Sequence, residues 1–135
     1  TVYGLAGNAL RAETVTKIFS VKDRPFFDPL IVHVSGANAL EKFATDIPPV
    51  ALKLADVFWP GPLTILLRRQ ENIPDLVTSG LPTAGFRCPN HPLTLELLRQ
   101  LDFPLAAPSA NPFGYVSPTT AAHVADQLGQ RIPYI

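Results

Sequence analysis

Proline placement constrains this chain more than any other feature. Its 15 prolines fall almost wholly at the ends of periodic segments, because proline inside a helix or a central strand removes a donor and clashes with its surroundings. Between them, helical stretches alternate with brief apolar runs, the signature of an α/β domain. Ala12 to Val21 has Val15, Ile18, Phe19 and Val21 at helical spacing with Lys17 outside. Leu30 to Val34, after Pro29 and before Ser35-Gly36, predicts a strand, and Ala37 to Ala44 returns to helical spacing. Pro48-Pro49 opens a helix over Val50 to Phe58, since proline suits a first turn. Trp59-Pro60-Gly61-Pro62 stops it as a tight turn anchored by tryptophan packing. Leu63 to Leu67 predicts a strand running into a surface turn at Arg68-Arg69-Gln70, and a loop with Pro74, Gly80 and Pro82 leads to a strand over Thr83 to Cys88. His91-Pro92 starts a helix to Leu101, and Pro104 to Ala107 is a short buried strand. Ser117-Pro118 caps a final helix to about Leu128. Ile132 to Ile135 looks like the start of a further strand.

The 135 residues are 47% hydrophobic and 16% charged, which suits one domain over 1–135 with a sizeable core and argues against disorder. Basic and acidic side chains balance at 11 each; residues 1–68 carry 7 and 6, residues 69–135 carry 4 and 5. A broad basic nucleic-acid face and a polybasic membrane anchor are excluded, so any anion site has to be local. Cys88 alone allows neither an internal disulfide nor a CxxC metal knuckle, and a reducing, cytoplasmic setting is the default. Every apolar stretch is interrupted before the ~20 residues of a membrane span. No secretory pattern opens the chain. With no methionine and with Thr1-Val2-Tyr3-Gly4-Leu5 at its start, the chain reads as a piece truncated at both ends.

The common nucleotide and hydrolase fingerprints, GxGxxG, GxxxxGK[ST], HExxH and GxSxG, are absent. Three loops concentrate polar groups instead. In Lys22-Asp23-Arg24-Pro25 through Asp28-Pro29, Lys and Arg two apart can converge on one phosphate chain, the first as a point charge and the second as a fork; a solvated turn closing a helix is the plainer reading. Pro108-Ser109-Ala110-Asn111 follows the small buried run Leu105-Ala106-Ala107, where an open α/β sheet binds ligands, or else is an Asx or Ser turn. At Ser117, cap and anion site are compatible. In Thr83-Ala84-Gly85-Phe86-Arg87-Cys88-Pro89, an arginine inside an apolar strand has to be at an edge, paired, or facing a polar cavity. His33 points away from Val32 and Val34 and is either a hydrogen-bonded core residue or a ligand contact. His91 and His123 lack metal-ligand spacing, and Cys88 suits a small buried hydrophobe.

Together these segments carry a resemblance. Thr1–Leu5, Lys22–Pro25, Pro29–Val34, Phe58–Thr64, Phe86–Pro92, Ala106–Asn111 and Ser117–Thr120, in that order, closely resemble the YrdC-like family of L-threonylcarbamoyladenylate synthases. Lys22/Arg24 and Ser109/Asn111 match its KxR and SxN signature. The resemblance implies an α/β fold, a twisted mixed sheet with flanking helices around a deep, locally positive cavity. It implies a nucleotidyltransferase that converts L-threonine, bicarbonate and ATP into threonylcarbamoyl-AMP and pyrophosphate, with tRNA reached indirectly through a threonylcarbamoyl-transfer complex. By motif position, Thr1, His33, Arg87 and the backbone at Ala107 would hold threonine. Lys22, Arg24, Asp28, Thr83, Ser109, Asn111 and Ser117 would bind ATP, and Lys22 and Arg24 would stabilise transition-state charge. Mg²⁺ would arrive with the nucleotide, with no metal site built from side chains. The chain departs from the family at Asp28, where Asn is usual, at Phe26-Phe27, where polar residues are more frequent, and at Pro112-Phe113. A carbamoyl-adenylating domain of a hydrogenase-maturation protein and a non-catalytic paralogue that binds RNA or nucleotide are the alternative readings.

Overall fold

Alternation along the central strands sets the architecture. In the computed structural model, which describes residues 2–135, Ala84 and Phe86 are buried while Thr83, Gly85 and Arg87 between them are only half-buried. The elements in order are β1 (Gly7–Asn8), α1 (Ala12–Lys22), β2 (Ile31–His33), a 3₁₀ helix (Ala37–Lys42), β3 (Ala44–Thr45), α2 (Pro49–Phe58), β4 (Ile65–Arg69), α3 (Asp75–Thr78), β5 (Thr83–Arg87), α4 (Pro92–Gln100), β6 (Leu105–Ala106) and α5 (Ala121–Leu128). They form one mixed sheet of order β1-β6-β2-β5-β4-β3. Only β2 and β5 pair in parallel; every other pair is antiparallel.

One sheet face, carrying Val32, Ile65, Leu67, Ala84, Phe86 and Ala106, packs on Val15, Ile18 and Phe19 of α1, Leu40 of the 3₁₀ helix, Ala51 and Ala55 of α2, and Val77 of α3. The opposite face stays partly open, with Ile31, Leu66 and Arg68 exposed around Thr83, Gly85 and Arg87. A second, smaller cluster has Ala110 of the SxN loop packed with Val124 and Leu128 of α5. The α/β class and the mixed sheet expected from the sequence are present.

Several boundaries differ. The stretch expected as a helix over 37–44 is a 3₁₀ helix closed by an Phe43 N–H to Leu40 carbonyl bond, and then turns into β3. Arg68 and Arg69 are not a surface turn but continue β4, because β3 pairs with them. The final helix starts at Ala121, not Ser117. Its cap is Thr120, whose hydroxyl accepts the His123 N–H at 3.2 Å, while the Pro118 carbonyl accepts the Tyr3 N–H. Residues 132–135 form no strand. Among the described residues no helix is long and apolar enough to cross a membrane.

Candidate functional site

Strand direction separates the motif residues into two groups. Parallel pairing matches Ile31 with Gly85 and His33 with Arg87, so the loop before β2, with Lys22, Arg24 and Asp28, lies toward the Thr83 end of β5. β6 runs antiparallel to β2 with Ala106 beside Val32, so the SxN loop that follows it returns to that same end. His33 and Arg87 sit at the other end, four residues or about 13 Å away along the strand. Ala107, just past β6, and Gly85, with no side chain, lie between. Thr1 lies outside the described residues.

The KxR loop is rigidly built. α1 ends at Asp23, whose φ of 52° is left-handed and directs its N–H back to the Phe19 and Ser20 carbonyls. The Ser79 hydroxyl donates to the Phe26 carbonyl at 2.8 Å, and the Leu30 N–H to the Val77 carbonyl. Arg24 donates through Nε to the Asp28 carbonyl (3.2 Å) and through Nη2 to the Pro29 carbonyl (3.1 Å), and Nη2 also pairs with the Asp28 carboxylate at 2.9 Å. Its Nη1 has no partner among the described residues, so one edge of the fork is available for an anion. Asp28 thus spends its charge on Arg24.

Lys22 is 1% exposed. Its Nζ donates to the main-chain carbonyls of both Ser109 and Asn111, clamping the two signature motifs together. Burial, and then the neighbouring Arg24 charge, lower its pKa from 10.5 to about 8. The SxN loop is held from three further sides. The Leu5 and Ala110 N–H groups bond the Pro108 and Tyr3 carbonyls, and Gly4 bridges Ser109. Ala110 anchors under α5, and Asn111 Nδ2 donates to the Pro112 and Tyr115 carbonyls at 2.8 Å each. Asn111 Oδ1 is buried and unpartnered. Ser109 and Ser117 are half-buried.

At the far end, Arg87 Nε donates to the Gly61 carbonyl at 3.3 Å, and the Gly61 N–H bonds the Cys88 carbonyl at 2.8 Å. The Trp59–Pro62 turn, itself tied by Trp59 Nε1 to the Leu63 carbonyl at 2.7 Å, therefore steadies the arginine. The sequence alone marks that turn as packing only, because nothing local links Gly61 to an arginine 26 residues further on. His33 Nδ1 is buried without a hydrogen bond. Burial and then Arg87 push the imidazole below its usual range, opposed by the Ile31 and Leu105 carbonyls, which leaves a neutral ring beside a fixed cation. Cys88 is buried as expected, and burial raises its thiol pKa against the pull of Arg99. A groove of about 650 Å³ along β3 and β4, lined by Lys42, Arg68, Gln70 and Asn72, includes none of the motif residues.

Comparisons with known proteins bear on the family and the fold. The family model Sua5/YciO/YrdC, described as "Telomere recombination", matches residues 1–135. The threonylcarbamoyl-AMP synthase of Pyrococcus abyssi is 46% identical over 135 residues, covering 100% of this chain and 40% of that protein. The synthase of Bacillus subtilis is 46% identical over 133 residues, covering 98% and 38%. The crystal structure of P. abyssi Sua5 complexed with L-threonine superposes with a TM-score of 0.96 at 46% identity, covering 100% of this chain and 40% of the other. The chain thus spans about 40% of the length of these relatives. It belongs to the Sua5/YciO/YrdC family.

Proposed function

We propose that this chain is the substrate-binding core of an ATP-dependent threonylcarbamoyl-AMP synthase, a nucleotidyltransferase of tRNA modification. The observation that carries the reading is the division of the β2–β5 pair, with a clamped KxR–SxN cluster at one end and the Arg87–His33 pair at the other. The names of the relatives and the threonine complex of P. abyssi Sua5 supply the substrate class.

Arg87 takes the threonine carboxylate, and neutral His33 offers an acceptor to a hydroxyl or ammonium group nearby. The deprotonated amine and bicarbonate give the N-carboxylate and water. A carbamate oxygen then attacks the α-phosphorus of ATP, and the bond to the β-phosphate oxygen breaks to release pyrophosphate. Arg24 and the Lys22 ammonium offset the charge developing there, while the rigid loops hold the reactants in line. Asp28 acts on ATP through Arg24; Thr83, Ser109, Asn111 and Ser117 contribute at the same end, and Thr1 and the Ala107 backbone at the threonine. Mg²⁺ would arrive with the nucleotide, held chiefly by its phosphates, where it would help offset their charge; no step is assigned to it. A cytoplasmic location and delivery of the product to a tRNA-transfer complex belong to the same proposal.

The intact protein should release pyrophosphate only with threonine, bicarbonate and ATP all present. Arg24→Ala and Arg87→Ala should each lower kcat/KM by about tenfold or more, the loss expected of a charge-assisted contact. Pyrophosphate release that ignores threonine would overturn the assignment.

A further inference from the structure

The SxN loop ends in a feature that phosphate binding does not use. Phe113 is 46% exposed, yet it is anything but loosely held. Its N–H donates to the Lys22 carbonyl at 2.7 Å, and Asn111 Nδ2 bonds the carbonyls of Pro112 and Tyr115 on either side of it. Gly114, at a φ of 82°, supplies the left-handed residue that closes the turn. The ring lies 6.0 Å from the Arg24 guanidinium carbon, at the outer limit of a cation–π contact. A core aromatic would be covered. A mere surface residue would not sit in a segment fixed by its own main-chain bond and by two Asn111 side-chain bonds to the carbonyls around it, beside the cation on which phosphate binding rests.

We infer that Phe113 is a stacking platform for the purine base of the nucleotide. The inference rests on the phosphate assignment of Arg24 above. A ring beside the guanidinium that receives phosphate stands at a spacing comparable with the ribose that separates a base from its α-phosphate. Arg24 then serves both parts of one ligand, its free Nη1 toward phosphate and its face toward the aromatic wall. Stacking tolerates any base, because every base has a π-face, so Phe113 raises nucleotide affinity more than it selects adenine.

The test compares ATP with inorganic tripolyphosphate, which carries the phosphates without a base, by calorimetry on the intact protein. Phe113→Ala and Phe113→Leu should bind ATP about tenfold more weakly and tripolyphosphate as wild type does; Phe113→Trp should keep ATP affinity. Unchanged tripolyphosphate binding also reports that the loop still folds. Phe113→Leu binding ATP normally, or both ligands weakening together, overturns the stacking role, the second outcome meaning that the ring only steadies Arg24. Wild-type protein that binds neither ligand overturns the phosphate assignment and the stacking role with it.

Discussion

Lys22 shows why a residue's chemistry has to be taken from its contacts. Sequence spacing allows a phosphate-binding point charge but reads more plainly as a solvated turn, and only the family resemblance favours the former. In the fold, two of its N–H groups are already spent on the Ser109 and Asn111 carbonyls, so the side chain is first a strut between two loops. A neutral amine keeps two N–H groups, and the strut therefore survives loss of the charge. Because its pKa falls from 10.5 to about 8, the folded chain gives up this proton before the unfolded chain does. Between those values the unfolded chain holds more protons, and this group's contribution to stability rises with pH. We expect ATP affinity, measured by calorimetry, to fall between about pH 7 and pH 9.5 with no loss of stability traceable to Lys22. Lys22→Met should remove that titration and destabilise the chain by ~1–3 kcal/mol in denaturant unfolding, since two carbonyls lose their donor. A pH response of ATP affinity identical in the variant would show that another group titrates.

At the scale of elements, the prolines carried most of what could be read. α1, α2, α4, β2, β4 and β5 lie where periodicity and proline boundaries predict them. What escaped is short: β1 and β3 have two residues each and α3 has four, too few for any period to register. The last helix starts later than the sequence predicts because Ser117-Pro118 and Thr120 both suit a cap, and only the bond from Tyr3 to Pro118 shows which segment is committed elsewhere. The Trp59–Pro62 turn was legible as a turn and illegible as a support, because Arg87 lies 26 residues beyond Gly61 in sequence. That support can be tested. A Cβ on Gly61 would stand 2.2 Å from the Phe58 carbonyl oxygen, a backbone atom that cannot swing aside. Gly61→Ala should therefore shift the turn, destabilise the domain by ~1–3 kcal/mol, and weaken threonine binding more than tripolyphosphate binding. Equal losses for both ligands would mean that the turn stabilises the fold without positioning Arg87.

For the molecule as a whole, net charge is zero, and the fold explains how neutrality is compatible with the proposed anion site. Lys22 and Arg24 are drawn inward at one end of the sheet and Arg87 at the other, while several remaining cations are spent locally: Arg69 on the carbonyls of Ile73 and Leu81 and on Asp75, Arg131 on Asp23 and the Val21 carbonyl. No composition count could show this, since the convergence of residues 22, 24, 109 and 111 depends on β6 turning back beside β2; in the sequence only the resemblance pointed to it. The consequence is a sharp separation between two kinds of electrostatic binding. ATP affinity should weaken as salt is added, and that slope should shrink in Arg24→Ala, because the charge neutralised is local. Unmodified tRNA should bind this chain no more tightly than a non-specific Kd of about 10⁻⁴–10⁻⁶ M at physiological salt, and Arg24→Ala should leave that value unchanged. Filter binding across a salt series checks both, and tight tRNA binding with a steep salt slope would reveal a basic surface that this arrangement of charges does not provide.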